Sequence, residues 1–199
     1  MNRAEKHLSK DPVMAKLIQE HKLKSWPEIN LTPQYIFGEI IETILGQQLS
    51  GKAANTIIRR FKDIYGGTLP KPKELLETPD KKIRACGTSW SKVSYIKNVA
   101  NVVVSKELDL KKLPQLSDEE TREELLKIKG VGNWTAEMML MFTLHRPDIF
   151  STGDAGLQNA MYKLYKVEKG DFKKMEKIAE KWRLYRSLAC RYLWRSLDN

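Results

Sequence analysis

A chain of 199 residues, 41% hydrophobic and 30% charged, is long enough to bury a core and has the balance of an ordinary globular protein. Thirty-five Lys and Arg against 25 Asp and Glu leave a net charge of +10, which favours an anionic partner, nucleic acid being the commonest. No apolar stretch is long enough to span a bilayer, and the opening MNRAEKHLSKDP lacks the apolar core and cleavage site of a signal peptide; an intracellular location (cytoplasm, nucleoid or nucleus) and no membrane are expected. The two cysteines, Cys86 and Cys190, have no metal-ligand spacing. They read as small buried hydrophobes, and their number excludes a four-cysteine iron–sulfur cluster within the chain.

Helix signals run almost from end to end. Asp11 and Pro12 start a helix reaching about residue 21, followed by a linker that holds Trp26 and Pro27 and ends at Pro33. Over 35–48, Ile36, Phe37, Ile40, Ile41, Ile44 and Leu45 recur at helical spacing. Ser50 can cap a helix over 51–65 that stops at Gly66 and Gly67. Helices over 80–86, 91–106 and 117–128 follow, the last with Ser117 and Glu120 spaced as a capping box. The run VANVVVS, at 99–105, tempts a strand assignment, but it lies among helix formers without turn residues and is read as helix. Helices over 133–144, 154–165, 171–181 and 184–197 complete the chain. The expected architecture is all-α: about ten helices in one domain, 1–199, with two lobes and a groove between them. Middle helices, about 35–110, would form one lobe; the turn segment 125–144 and the N- and C-terminal helices would form the other.

The segment LLKIKGVGNWTAEMMLMF, 125–142, reads as helix, tight turn, helix. Gly130 can take the positive φ that ends the first helix, Val131 can tuck between the two, and Gly132 lets backbone approach a partner. The N–H groups of such a turn favour a phosphate, and Lys129 adds positive charge. An ordinary helical hairpin with a glycine stop is the plainer reading. The helix that follows is apolar on nearly every face, Phe142 included, and should be central to the core. Downstream, RPDIFSTGDAGLQNAM places Asp154 at a helix start, where the dipole favours its charged form. Alone, Asp154 reads as an N-cap.

Together these motifs resemble the helix–hairpin–helix DNA glycosylase superfamily, and within it the 3-methyladenine DNA glycosylase II family. Besides KGVGNWTA and the Gly-Asp that opens a helix, ETILGQQLSGKAANTIIRRF is similar to the family's ILGQ segment. KWRLYRSLACRYLW is similar to its C-terminal segment, with Leu184 where the family pattern has proline and Tyr185 where it has tryptophan. The resemblance covers roughly 35–197. It implies the family's short, all-helical form, because the chain has no room for the extra N-terminal β-sheet domain of some bacterial relatives.

The resemblance also implies site roles. Asp154 would be the catalytic carboxylate. Trp134, Met138 and Trp194 would contact the substrate base, Met138 standing where some relatives place a tyrosine. Gln48, Ser50, Lys129, Gly130, Val131 and Gly132 would contact DNA, with Gln48 filling the gap left by a flipped base; alternatively, Gln48 satisfies carbonyls at a helix end. In bifunctional members the position of Trp134 is a lysine that forms a Schiff base, so a monofunctional, water-using enzyme is implied. The expected partner is double-stranded DNA carrying alkylated bases, acted on by a monomer. No cofactor or metal is required, although a metal ion on the hairpin carbonyls is compatible with bound DNA. A glycosylase with strand-cleaving lyase activity and a catalytically silent DNA-binding module are the alternatives. Asp148, beside Pro147, is a second carboxylate in the region, better suited to a turn.

Overall fold

The computed structural model describes residues 1–26 and 28–198; Pro27, placed by the sequence in the linker, lies outside them. Twelve α-helices and no strand are found among the described residues. In chain order they are α1 (Arg3–Leu8), α2 (Pro12–Glu20), α3 (Pro33–Gly46), α4 (Gly51–Asp63), α5 (Pro72–Glu77), α6 (Asp80–Arg84), α7 (Trp90–Val104), α8 (Asp118–Leu126), α9 (Asn133–Met138), α10 (Ala155–Tyr165), α11 (Phe172–Ala179) and α12 (Arg186–Arg195). None is long and apolar enough to cross a membrane.

The chain divides into two units, Ile29–Leu144 and Met1–Glu28 with His145–Asn199. The turn segment therefore groups with the middle helices, not with the termini as the sequence suggested. The reason is packing: α3 presents a broad apolar face and contacts α4, α7, α9 and the π-helical stretch that continues α9. Ile36, Phe37, Ile40, Ile41, Ile44 and Leu45 are all essentially inaccessible, so α3 is the axis of the middle unit. Lys97 of α7 stitches the unit's surface, donating to the carbonyl oxygens of Leu76 (2.8 Å) in the last turn of α5 and of Thr78 (2.5 Å) just beyond it. That arrangement satisfies helix-end acceptors that have no intrahelical donor.

In the terminal unit α12 packs on α10 and α2. Asp11 caps α2 through Oδ1, accepting from the backbone N–H of Val13 (2.9 Å) and Met14 (3.3 Å), while its Oδ2 accepts from Trp182 Nε1 (3.2 Å). Trp182 is fully buried, with the rings of Phe150 and Tyr165 tilted against it at 5.8 and 5.6 Å. Burial, and then the Asp11 charge, pushes the Tyr165 hydroxyl well above its ordinary pKa. One cap thus anchors a helix and the aromatic centre of this core.

Several local readings differ from the structure. α1 and α5 were not anticipated. The predicted final helix begins two residues late, at Arg186, because Leu184 adopts φ 75°. A proline, confined near −65°, could not occupy that position in this backbone. The helix after the turn changes at Met139 to a π-helical stretch, Met139–Thr143. Its Met138–Met141 run is buried as expected, but Phe142 is 37% exposed.

One half-buried carboxyl in the middle unit gives a pH prediction. Glu39 on α3 is raised above the usual carboxylate range, first by burial and then by neighbouring Glu42. In the acidic-to-neutral window the unfolded chain releases this proton before the folded chain does, so Glu39 destabilises the fold above its folded pKa and contributes nothing below the ordinary value near pH 4. Glu39→Gln is expected to raise the melting temperature at pH 7 by on the order of 2 °C. The gain should shrink to nothing near pH 3, as thermal melts across pH would show.

Candidate functional site

The turn after α8 is built on glycine where backbone demands it. Gly130 adopts φ 97°, and a Cβ there would lie 2.3 Å from Tyr95 Cγ. The Val131 N–H closes the turn on the Ile128 carbonyl (3.0 Å), and the Val131 side chain is buried. Gly132 differs: its φ is −102°, its Cβ position faces open space, and it is the N-cap of α9 without any side-chain cap. Lys129 is exposed beside it. Backbone N–H groups at the start of α9 thus meet no capping side chain, the arrangement that favours an anion.

This turn is braced by a residue the sequence reading passed over. Gln47, at the C-cap of α3, donates through Nε2 to the Gly130 carbonyl (3.1 Å) and to Thr135 Oγ1 (2.9 Å). Lys92 of α7 in turn donates to the carbonyls of Leu45 (2.8 Å) and Gln47 (2.7 Å). Burial holds that ammonium below the ordinary lysine range, and the two carbonyls replace part of its lost hydration. Lys92 therefore does the carbonyl-satisfying work considered for Gln48. Gln48 itself is exposed, with φ 57°, a left-handed conformation that costs a non-glycine residue about 1–2 kcal/mol. Ser50 is exposed one turn on, where its Oγ accepts from the Ala53 N–H (3.4 Å) at the start of α4. Trp134 and Met138 lie four residues apart on one face of α9, Trp134 half-buried and Met138 buried.

In the terminal unit, Asp154 is the N-cap of α10. Its Oδ1 accepts from the Leu157 N–H (2.8 Å) and also from Trp194 Nε1 (2.8 Å) of α12. The sequence-predicted carboxylate and tryptophan are thus brought together, through the indole N–H. Gly156 makes the approach possible. A Cβ there would stand 2.9 Å from Trp194 Cδ1 and Nε1 and 3.0 Å from Asp154 Oδ1. Gly156→Ala should push the indole away and cost about 1–3 kcal/mol, by analogy with overpacked cores; urea denaturation followed by tryptophan fluorescence measures both effects. Asp148 is occupied differently: Arg186 donates to it through Nε (2.9 Å) and Nη2 (3.1 Å), pinning the 146–149 segment to the start of α12. Cys86 and Cys190 are both buried. Among the described residues no group of three or more His, Cys, Asp or Glu side chains is placed to hold a metal ion.

The profile of HhH-GPD superfamily base excision DNA repair proteins matches residues 41–184. The chain belongs to that superfamily. Among curated HhH-GPD relatives, DNA-3-methyladenine glycosylase 1 of Schizosaccharomyces pombe is 35% identical over 173 residues, 85% of this chain and 76% of that protein. The alkylbase DNA glycosidase-like protein mag2 of the same yeast is 35% identical over 200 residues, 96% of this chain and 92% of the relative. A solved structure of the S. pombe 3-methyladenine DNA glycosylase in complex with abasic DNA superposes with a TM-score of 0.90 at 31% identity, covering 100% of this chain and 98% of that one. A Bacillus halodurans DNA-3-methyladenine glycosidase gives 0.81 at 35% identity, covering 100% and 90%. The all-helical HhH-GPD fold expected from the sequence is thereby established.

Proposed function

We infer that this protein is a monofunctional DNA glycosylase that flips alkylated purines of the 3-methyladenine type out of duplex DNA and hydrolyses the N-glycosidic bond, leaving an abasic site. The observation that carries the reading is Asp154, held at a helix start by a backbone N–H and an indole N–H on a single oxygen. Relatives of this chain are named as DNA-3-methyladenine glycosylases, one solved with abasic DNA, which supports both reaction and partner.

The chemistry follows from the substrate. A purine alkylated at a ring nitrogen carries a positive charge and departs readily, its charge neutralised by the electrons of the breaking C–N bond. The sugar then becomes oxocarbenium-like, and water adds to C1′ while its proton passes to a base or to solvent. Asp154 supplies a fixed negative charge beside that developing cation and an acceptor for the water proton. Because Leu157 and Trp194 hold Oδ1, the carboxylate need not reorganise as charge develops. The position of Trp134, which carries a Schiff-base lysine in bifunctional members, offers no amine, so water is the nucleophile.

The two units divide the other tasks. In the middle unit the turn 129–132 grips phosphate through backbone N–H groups and Lys129, with Gln47 as its brace. Gln48, already exposed in a high-energy backbone, enters the gap that base extrusion leaves. There too the electron-rich face of Trp134 attracts a cationic base, worth about 0.5–2 kcal/mol according to desolvation, with Met138 limiting the space beside it; in the terminal unit the Trp194 face beside Asp154 offers the same kind of attraction. The protein acts as a monomer on duplex DNA.

Release of free bases from methylated duplex DNA tests this, with strand breaks followed separately. Methylpurine release with strands cut only after alkali is the expected result. Strand cutting without alkali would reveal a lyase, and tight duplex binding without base release would make the protein a silent binder; either overturns the proposal.

A further inference from the structure

A cavity of about 530 Å³ in the terminal unit is lined by neither Asp154 nor Trp194. That volume falls in the range of small-ligand sites. Its walls carry Arg3, Lys24, Arg146 and Arg191 together with His145, against one carboxylate, Glu5. Glu5 is already engaged: Oε2 accepts from the Asn2 N–H (2.8 Å) and Oε1 from the Tyr192 hydroxyl (2.9 Å). The cavity is therefore strongly positive.

Arg191 is the residue that needs explaining. Its guanidinium lies 4.1 Å from the centre of the Trp26 ring and donates to the Lys24 carbonyl. The Trp26 ring in turn meets that of His145, centre to centre at 5.0 Å, and His145 holds a left-handed φ of 53°. Burial depresses the guanidinium's affinity for its proton, and among the described residues no carboxylate reaches it. A part-desolvated cation, oriented by an aromatic face and without a counter-ion, has lost hydration that an entering anion would restore. A guanidinium with donors to spare suits the oxygens of phosphate in particular.

We propose that this cavity is a phosphate-binding site, separate from the residues assigned to catalysis, in which Arg191 and Lys24 hold the phosphate group of a nucleotide. Two sources carry that chemistry: a strand of bound nucleic acid and a free mononucleotide. Arg191→Gln removes the charge, and Lys24→Ala removes an exposed ammonium while keeping the carbonyl that positions Arg191.

Two readouts on the full chain decide the matter, and neither requires turnover, so their failure is distinct from failure of the catalytic reading. Calorimetric titration with inorganic phosphate and with deoxyadenosine monophosphate tests the free ligand; saturable binding weakened at least tenfold in both variants is the result expected of that source. The salt dependence of binding to an unmodified duplex tests the strand; there each variant should lower the slope of log K against log salt by about one, the signature of one lost phosphate contact. A response in either readout supports the site and identifies its source. Unchanged titrations and unchanged slopes in Lys24→Ala, which removes no packing, would overturn it even if Arg191→Gln failed to fold.

Discussion

Asp154→Asn is expected to slow release of methylated purines from duplex DNA by about a thousandfold while leaving affinity for an abasic duplex within a few-fold of wild type. Asparagine keeps an oxygen where Oδ1 stands, so it can still accept from the Leu157 N–H and from Trp194 Nε1. What it removes is charge. The fold and the indole's position should survive, and the melting temperature should barely move. Asp154→Ala is the less informative variant, because it also removes an N-cap worth about 1 kcal/mol and strips Trp194 of its acceptor. Single-turnover rates on methylated duplex, beside equilibrium binding to abasic duplex, make the measurement. If Asp154→Asn keeps a rate within tenfold of wild type, the negative charge is not the agent and the mechanism fails. Asp148 offers the control. Its carboxylate is paired with Arg186, so Asp148→Asn should lower stability by loosening the start of α12 and leave the chemical step alone.

What could be read from the sequence were interactions that close within a few residues. Asp11, Ser50, Ser117 and Asp154 all cap the helices assigned to them, since a cap is decided by a side chain and an N–H two or three positions on. The glycine at 130 was legible for the same reason. α1 and α5, six residues each, escaped the sequence reading, although the five-residue α6 did not. The brace from Gln47 was illegible because its acceptor at Gly130 is 83 positions away, and nothing local distinguishes Gln47 from Gln48. Only the fold turns one inward and leaves the other exposed. The bond from Trp194 to Asp154 spans 40 positions and gave Trp194 a polar task beyond its aromatic face. Gly156 had a faint signal in the sequence, a helix-breaking residue inside the first turn of a helix. Its meaning needed the indole that sits on it.

The two turn glycines separate folding from binding, and Gly130→Ala should be strongly destabilising. A methyl there meets Tyr95 at Cγ (2.3 Å), Cβ (2.5 Å) and Cδ1 (2.8 Å), closer than any real carbon contact. Relief requires moving a ring on α7 or the turn itself, and φ 97° adds strain for any residue with a Cβ. Together these should cost about 2–4 kcal/mol, or roughly 5–15 °C in melting temperature for a chain of this size. The Gln47 bond to the Gly130 carbonyl should loosen with it, and affinity for duplex should fall. Gly132→Ala provides the contrast. Its φ of −102° suits alanine and its Cβ would touch nothing, so the fold should be unaffected. Any loss of duplex affinity in Gly132→Ala must then come from the partner's side, where a methyl holds a phosphate off the N–H groups that start α9. Urea denaturation and duplex binding on both variants separate the effects. A Gly132→Ala protein that folds and binds duplex like wild type would show that backbone at this turn does not approach the strand closely, and the phosphate grip would have to rest on Lys129 alone.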